Sequence, residues 1–124
     1  MNKEKKTKIS IIIPTYNEAE NINTLLEEII NEVKNKEYEI IIVDDGSNDE
    51  TVNNIFKNYN QNNKIKVIQR EYDRGLLQSI KFALQSISGE YFVVMDGDGQ
   101  HSSKDINVLL VYTFFKSPKP LYRK

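Results

Sequence analysis

Three short polar clusters in this 124-residue chain hold side chains able to do chemistry. The sharpest is Met95-Asp96-Gly97-Asp98-Gly99-Gln100-His101. Residues two apart in an extended segment point to the same side, so Asp96 and Asp98 can converge on one point. Gly97 and Gly99 carry no side chain and let a diphosphate approach the backbone. Paired carboxylate oxygens that leave coordination positions free suit Mg²⁺ or Mn²⁺ shared with phosphates, and Gln100, on the same alternation, can add a neutral oxygen. The same residues would also make an ordinary Gly/Asp turn, and Asp-X-Asp alone is common. An EF-hand calcium loop is disfavoured, because the closing Glu is missing. His101 is the only histidine; it reads as a helix-cap neighbour or incidental residue sooner than as a ligand.

The second cluster is Val43-Asp44-Asp45-Gly46-Ser47. Two adjacent carboxylates at the end of an apolar run repel each other unless ligand donors, a metal or nearby N–H groups hold them. A nucleoside offers N–H and hydroxyl donors that one carboxylate can accept; a strand terminator with an Asx turn is the equal alternative. The third cluster is Pro14-Thr15-Tyr16-Asn17-Glu18. Tyr16 can stack on a base or ribose, Asn17 and Glu18 can bond polar ring edges, and a following helix offers free N–H groups. Taken alone, a strand-to-helix turn with an acidic first turn is its simpler reading. Arg70, Arg74 and Gly75 form a softer feature in which a basic residue could reach phosphate; solvated arginine is the simpler reading there too.

These clusters need elements to position them. Ile9 to Ile13 is a β-branched run of the kind that suits a strand buried on both faces, ended by Pro14. Ile22, Leu25, Leu26, Ile29, Ile30 and Val33 repeat at helical spacing, which predicts a helix over 18–34 with Glu18 and Glu20 in its first turn and Lys34 in its last. A second buried strand is expected over 39–43, and a short helix capped by Asp49 and running to Tyr59. The polar Asn60–Asn63 stretch reads as a turn, and 64–69 as a strand near an edge. A helix over 76–87 follows, with apolar residues at Leu76, Leu77, Ile80, Ala83, Leu84 and Ile87 and with Gly89 as its C′ residue. A fourth strand over 91–95 and a last helix from Ser103 to Phe115 complete a β-α-β-α-β-α-β-α order. Such alternation implies a mostly parallel sheet with right-handed crossovers and helices on both faces. Ligands of such sheets bind outside the carboxyl ends of the strands, and the three clusters stand at three of those ends.

Composition narrows the function classes. Hydrophobic residues make up 39% and charged residues 28%, enough apolar material for one folded domain. The net charge of −1 gives no basic footprint for nucleic acid. Lys3, Lys5, Lys6 and Lys8 could touch an anionic membrane, although a disordered, solvated terminus over 1–8 is the simpler reading. The absence of cysteine excludes disulfides, thiolate metal sites and cysteine nucleophiles. None of the fourteen asparagines stands in an Asn-X-Ser/Thr sequon, which favours an interior location. The polar first residues show no signal peptide, and the apolar stretch Val108 to Phe115 falls far short of the ~20 residues of a membrane span. A cytoplasmic protein, or one peripheral at the cytosolic face of a membrane, is expected.

In order and interval, the three clusters resemble those of family 2 glycosyltransferases. Ile-Pro-Thr-Tyr-Asn-Glu at 13–18 and Met-Asp-Gly-Asp-Gly-Gln-His at 95–101 are most similar to the polyprenyl-phosphate sugar transferases of the dolichyl-phosphate mannose synthase type. Two positions depart from that pattern: Gly97 stands where alanine is frequent, and Ser102-Ser103 where a Pro-Pro pair is frequent. The resemblance covers Ile9 to about Leu110, the opening half of a catalytic domain. It implies a Rossmann-like, nucleotide-sugar-binding half of a glycosyltransferase A-type fold over 9–115, truncated, with an atypical tail over 116–124. Pro14, Tyr16, Glu18, Val43 and Asp45 would hold the nucleoside, Asp96, Gly97 and Asp98 would face diphosphate and sugar, and Asp98 with Gln100 would hold Mg²⁺ or Mn²⁺. Asp96 and Asp98 are thereby the implied catalytic carboxylates. The implied reaction moves mannose or glucose from a GDP- or UDP-linked donor to a polyprenyl or dolichyl phosphate, alone or with a partner subunit. A truncated module that binds nucleotide and metal without catalysis is the alternative. A dinucleotide-binding Rossmann protein is disfavoured by the lack of Gly-X-Gly-X-X-Gly at the first strand-helix turn.

Overall fold

The two Ile-rich runs lie side by side at the centre of a parallel sheet. The computed structural model describes residues 8–72 and 75–95. In them the chain forms β1 (Lys8–Thr15), α1 (Ile22–Val33), β2 (Glu37–Asp44), α2 (Thr51–Tyr59), β3 (Ile65–Gln69), α3 (Leu76–Leu84) and β4 (Tyr91–Val94). All pairings are parallel and the strand order is β3-β2-β1-β4. Ile11, Ile12 and Ile13 stand in register with Ile40, Ile41 and Ile42. Successive residues face opposite sides. Ile9, Ile11, Ile13, Ile40 and Ile42 pack with Ile22, Leu25, Leu26, Ile29 and Val33 of α1 and Ile55 of α2. Ile12, Ile41 and Val43 pack with Ala83 of α3 and with Ile87. Helices thus cover both faces, which is why the runs show no polar alternation, and each fully buried isoleucine contributes about 1.5–3 kcal/mol.

Several boundaries differ from the sequence-based expectation, each for a physical reason. Pro14 does not end β1: it pairs with Val43, and the strand runs on to Thr15. The Ile12 carbonyl accepts the Met95 N–H on the β4 side, whereas the Thr15 carbonyl accepts the Asp45 N–H on the β2 side. Pro14 alternates with Ile12 and so turns its ring nitrogen away from β2, with which the ladder runs on to Thr15↔Asp44. Its missing N–H therefore costs no bond to β2. α1 begins at Ile22, not at Glu18, and neither an acidic first turn nor a basic last turn is present. The Ala19 carbonyl is turned to the Asn54 side-chain amide of α2 instead, at 3.3 Å. β2 is longer than expected at both ends. Among the described residues β3 lies at the edge of the sheet, as its alternation suggested. In α3, Leu76 and Leu77 are 58% and 62% exposed, and Ser79 and Ala83 are the buried pair. That helix closes at Leu84 with i→i−3 bonds from Gln85 and Ser86, short of Ile87. Lys8 is the first residue of β1, not part of a solvated terminus. The last expected helix, from Ser103 to Phe115, lies outside the described residues. No helix among the described residues is long and apolar enough to cross a membrane.

The amino end of the sheet is held by one buried carboxylate. Glu39 is 3% exposed and lies opposite Ser10 in the register. Its Oε2 accepts the Ser10 hydroxyl and the Ser88 N–H, each at 2.6 Å. Lys66 and Lys8 approach Oε1 at 3.7 and 4.0 Å. The Gly89 N–H donates to Ser10 Oγ at 2.9 Å. Gly89 is therefore a close-approach glycine and not the C′ cap of α3: a Cβ there would meet Ser10 Oγ at 2.6 Å and the Lys8 carbonyl at 2.9 Å. Burial alone would push the Glu39 carboxyl up, but the Ser10 hydroxyl, the Ser88 donors and the Lys8 charge outweigh it and hold it below the ordinary glutamate value.

Two outcomes follow. Gly89→Ala forces backbone apart and should lower stability by about 1–3 kcal/mol in urea unfolding; an unchanged midpoint would show that the α3–β4 turn is not tightly packed. Because Glu39 has a depressed folded pKa, its contribution is present above the unfolded value of about 4.3 and is lost as pH falls through the folded value. Glu39→Gln should therefore flatten the acid limb of stability against pH, and parallel curves for the two proteins would refute that role.

Candidate functional site

Because every strand runs the same way, the loops after β1, β2 and β3 open at one edge of the sheet. The chain reaches β3 at one side and then crosses back to add β4 beside β1. This reversal is the switch point at which α/β sheets of this kind bind ligands.

The two adjacent carboxylates of β2 diverge. Asp44 shares a face with Ile40 and Ile42, and Asp45 shares the opposite one with Ile41 and Val43. Neither needs a ligand to separate it from the other. Asp44 is 1% exposed. Its carboxylate accepts the Thr15 hydroxyl at 2.7 Å, the Ser47 hydroxyl at 2.6 Å and the Ser47 N–H at 2.8 Å. Ser47 Oγ in turn accepts the Asn17 N–H at 2.7 Å, and Asn17 Oδ1 accepts the Asn48 N–H at 3.0 Å. Asn17 sits at φ +54°, a left-handed conformation that asparagine tolerates. Next to it, the Glu18 N–H donates to Thr51 Oγ1 at 2.8 Å and the Ala19 N–H to Asp49 Oδ2 at 3.2 Å. The clusters at 14–18 and 43–47 are thus stitched into one double loop. Asp49 also accepts the Thr51 N–H, the first of α2, at 2.9 Å in an Asx-type turn; the N-cap residue is Glu50, not the expected Asp49, and its side chain makes no capping bond. Slight desolvation would raise its pKa; the Thr51 hydroxyl and N–H and the Ala19 N–H hold it below the ordinary aspartate value.

Asp45 turns to the other side. Its Oδ2 accepts the Gly75 N–H at 2.8 Å and its Oδ1 the Ser79 hydroxyl at 2.7 Å. The Arg70 guanidinium stands 3.6 Å from Oδ1 and lies over the Phe82 ring at 5.3 Å from its centroid. The Arg70 side chain is 10% exposed, so it is a buried ion-pair partner and not the solvated arginine that its sequence context suggested. Gly75 sits at φ +130°, a conformation natural to glycine. Sequence reasoning passed over Thr15, Ser47 and Ser79. The Asp-X-X-Ser spacing at 44–47 was a turn signal, and Ser79, four residues before Ala83, stood on the inner face of α3.

Of the remaining site candidates, Pro14 is partly buried, Tyr16 is half exposed, Glu18 is intermediate and Val43 is fully buried. A cleft of about 570 Å³ opens between the loops after β2 and β3, lined among others by Gly46, Ser47, Asp49, Gln69, Arg70 and Tyr72. Asp96, Gly97, Asp98, Gly99, Gln100 and His101, together with Arg74, lie outside the described residues. Met95, which precedes the first of them, is fully buried, with its N–H on the Ile12 carbonyl at 2.9 Å. Among the described residues no group of three acidic or histidine side chains could hold a metal ion.

A parallel four-stranded sheet with polar strand ends is compatible with many activities, and the family comparison decides between them. The model of glycosyl transferase family 2 matches residues 10–113. The chain belongs to that family. It is 40% identical over 103 residues to a dolichol-phosphate mannosyltransferase of Pyrococcus furiosus, covering 83% of this chain and 29% of the relative. The mannosyltransferase PcManGT from Pyrobaculum calidifontis, solved in complex with GDP-Man and Mn²⁺, superimposes with a TM-score of 0.67 at 26% identity, over 77% of this chain and 28% of that one. S. aureus TarS 1-349 in complex with UDP-GlcNAc gives a TM-score of 0.67 at 29% identity, over 85% and 31%. This glycosyltransferase-family chain therefore shares part of the glycosyltransferase A-type fold of its relatives and spans about three tenths of their length.

Ser47→Ala removes a donor from Asp44 and the acceptor of the Asn17 N–H. It should destabilise the fold by about 1–3 kcal/mol in chemical unfolding. A neutral result would mean that water replaces the hydroxyl and that the double loop does not depend on it.

Proposed function

We propose that this chain carries the nucleotide-diphosphate-sugar-binding part of a hexosyltransferase that uses a GDP- or UDP-linked sugar, mannose or glucose, and a polyprenyl or dolichyl phosphate acceptor. The observation that carries the proposal is the family match across three strand-end clusters, two of which form one hydrogen-bonded double loop beside the switch point. The relatives named above, a dolichol-phosphate mannosyltransferase and enzymes solved with GDP-Man or UDP-GlcNAc, support it.

In this reading Pro14, Tyr16, Glu18, Val43 and Asp45 hold the nucleoside. Tyr16, half exposed at the end of β1, offers a ring face for a base or ribose. Val43 is buried and contributes main chain, and Asp45 accepts a base N–H. Asp96, Gly97 and Asp98 face the diphosphate and sugar, the two carboxylates being the catalytic pair. Asp98 and Gln100 are hard oxygen donors of the kind Mg²⁺ and Mn²⁺ prefer. A bound ion of this type would stabilise charge on the departing diphosphate. The acceptor phosphate is already anionic and needs little help from a general base, and no side chain is assigned as a covalent sugar carrier. Transfer is proposed for the whole protein, which meets its lipid acceptor peripherally at the cytosolic face of a membrane or with a partner subunit. Nucleotide and metal binding without transfer is the second reading.

Calorimetric titration with GDP and UDP, with and without Mn²⁺, tests the proposal. Binding should require the metal, and Asp98→Ala should weaken it at least about tenfold, equivalent to 1.4 kcal/mol, without moving the thermal midpoint. A folded protein that binds neither nucleotide would overturn it.

A further inference from the structure

We propose that Ser79 and Arg70, acting with the Gly75 N–H, are positioning groups that fix the Asp45 carboxylate for recognition of the nucleotide base. The proposal rests on the nucleotide-binding reading above and assigns it a set of residues that touch no ligand themselves. An ionised carboxylate has about four acceptor positions. In Asp45 two are committed among the described residues: the Ser79 hydroxyl takes Oδ1 at 2.7 Å and the Gly75 N–H takes Oδ2 at 2.8 Å, while the Arg70 guanidinium stands 3.6 Å from Oδ1 as an ion pair. Among the described residues, each oxygen keeps one further position. A carboxylate at a strand end turns freely about its terminal torsion, which is broad and roughly two-fold. Donors on both oxygens remove that freedom, so a base N–H meets an acceptor already aimed.

The donors come from separate parts of the chain, and each is itself held. Ser79 is fully buried in α3. Gly75 presents its N–H from a φ of +130°, just before α3 begins. Arg70 follows β3; its N–H bonds the Asp44 carbonyl at 2.8 Å, and its guanidinium rests on Phe82 and reaches Ser79 Oγ at 3.5 Å. The network therefore joins the end of β2, the loop after β3 and the first turns of α3 at one carboxylate. A hydroxyl buried inside a helix, where alanine would be better for the helix, needs such a reason. A purely structural tie is the competing explanation, and the experiment separates the two.

Affinities of the full 124-residue chain are measured with Mn²⁺ present for UDP, GDP and base-free ribose 5-diphosphate, the last as a competitor at millimolar concentration, in wild type and Ser79→Ala, with thermal midpoints recorded. Arg70→Lys, which keeps the charge but lacks the planar fork, serves as a second variant. Positioning predicts a loss of about tenfold (1.4 kcal/mol) for the preferred nucleotide, with no loss for ribose 5-diphosphate. Equal losses for both ligands would reduce the network to a structural tie, and unchanged nucleotide affinity in a folded variant would exclude any role in recognition. Either result overturns this inference while leaving nucleotide binding intact. Failure of the wild type to bind UDP and GDP overturns the nucleotide-binding reading instead.

Discussion

The parallel pairing of β1 with β2, buried on both faces, is the constraint from which the rest of the molecule follows. Two strands of consecutive isoleucines leave nowhere along their length for a polar group to meet solvent. Charged and hydroxyl side chains can stand only at the strand ends, and those ends are not equivalent. At the amino end, the Glu39 carboxylate closes on Ser10, Ser88 and two lysines. At the carboxyl end the loops are longer and carry the family's clusters. One end fastens the α3–β4 turn to the sheet, and the other holds an open cleft.

At that carboxyl end, strand alternation divides the work between two neighbouring aspartates. Asp44 is sent to the α1/α2 face, where it brackets the loops after β1 and β2; Asp45 is sent to the α3 face, where it gathers the loop after β3. A one-residue slip of β2 would exchange the two and break both sets of contacts, so the hydrophobic register of the core also sets the polar register of the site. The buried network at Asp44 is fully supplied with donors, which is the condition under which a buried carboxylate rigidifies a loop instead of straining it.

The order of elements was legible because the apolar periods are strong: β-branched runs for β1 and β2, a 3.6-residue stripe for α1. The edge position of β3 was legible from its alternation. What escaped was decided by long-range hydrogen bonds that no local period records. The start of α1 depends on Asn54, thirty-five positions from Ala19. The end of α3 depends on Glu39, forty-nine positions from Ser88. Pro14 looked like a terminator because the side on which its missing N–H would fall cannot be read locally; only the pairing with β2 shows that it falls on the other side. Arg70 looked solvated for the same reason, since its partner Asp45 and its stacking ring Phe82 lie in other elements. The Asp-X-Asp cluster was the sharpest chemical signal in the chain, and it follows directly on the buried Met95.

The coupling between stability and recognition has a direction. Asp44, Ser47 and Thr15 form contacts that would exist in any fold needing to hold these two loops together, and their loss is a loss of fold. Asp45 differs: among the described residues it accepts two hydrogen bonds, one on each oxygen, against the three on Asp44, so it is held by the protein without being consumed by it. An aspartate used only as a tie would saturate its acceptors, as Asp44 nearly does with its two hydroxyls and an N–H inside a 1%-exposed pocket. In the proposed reading, one strand end thus supplies both a bracket and a reader from adjacent residues of the same type. The environment that α2 builds on one face and α3 on the other makes the difference, not the side chain.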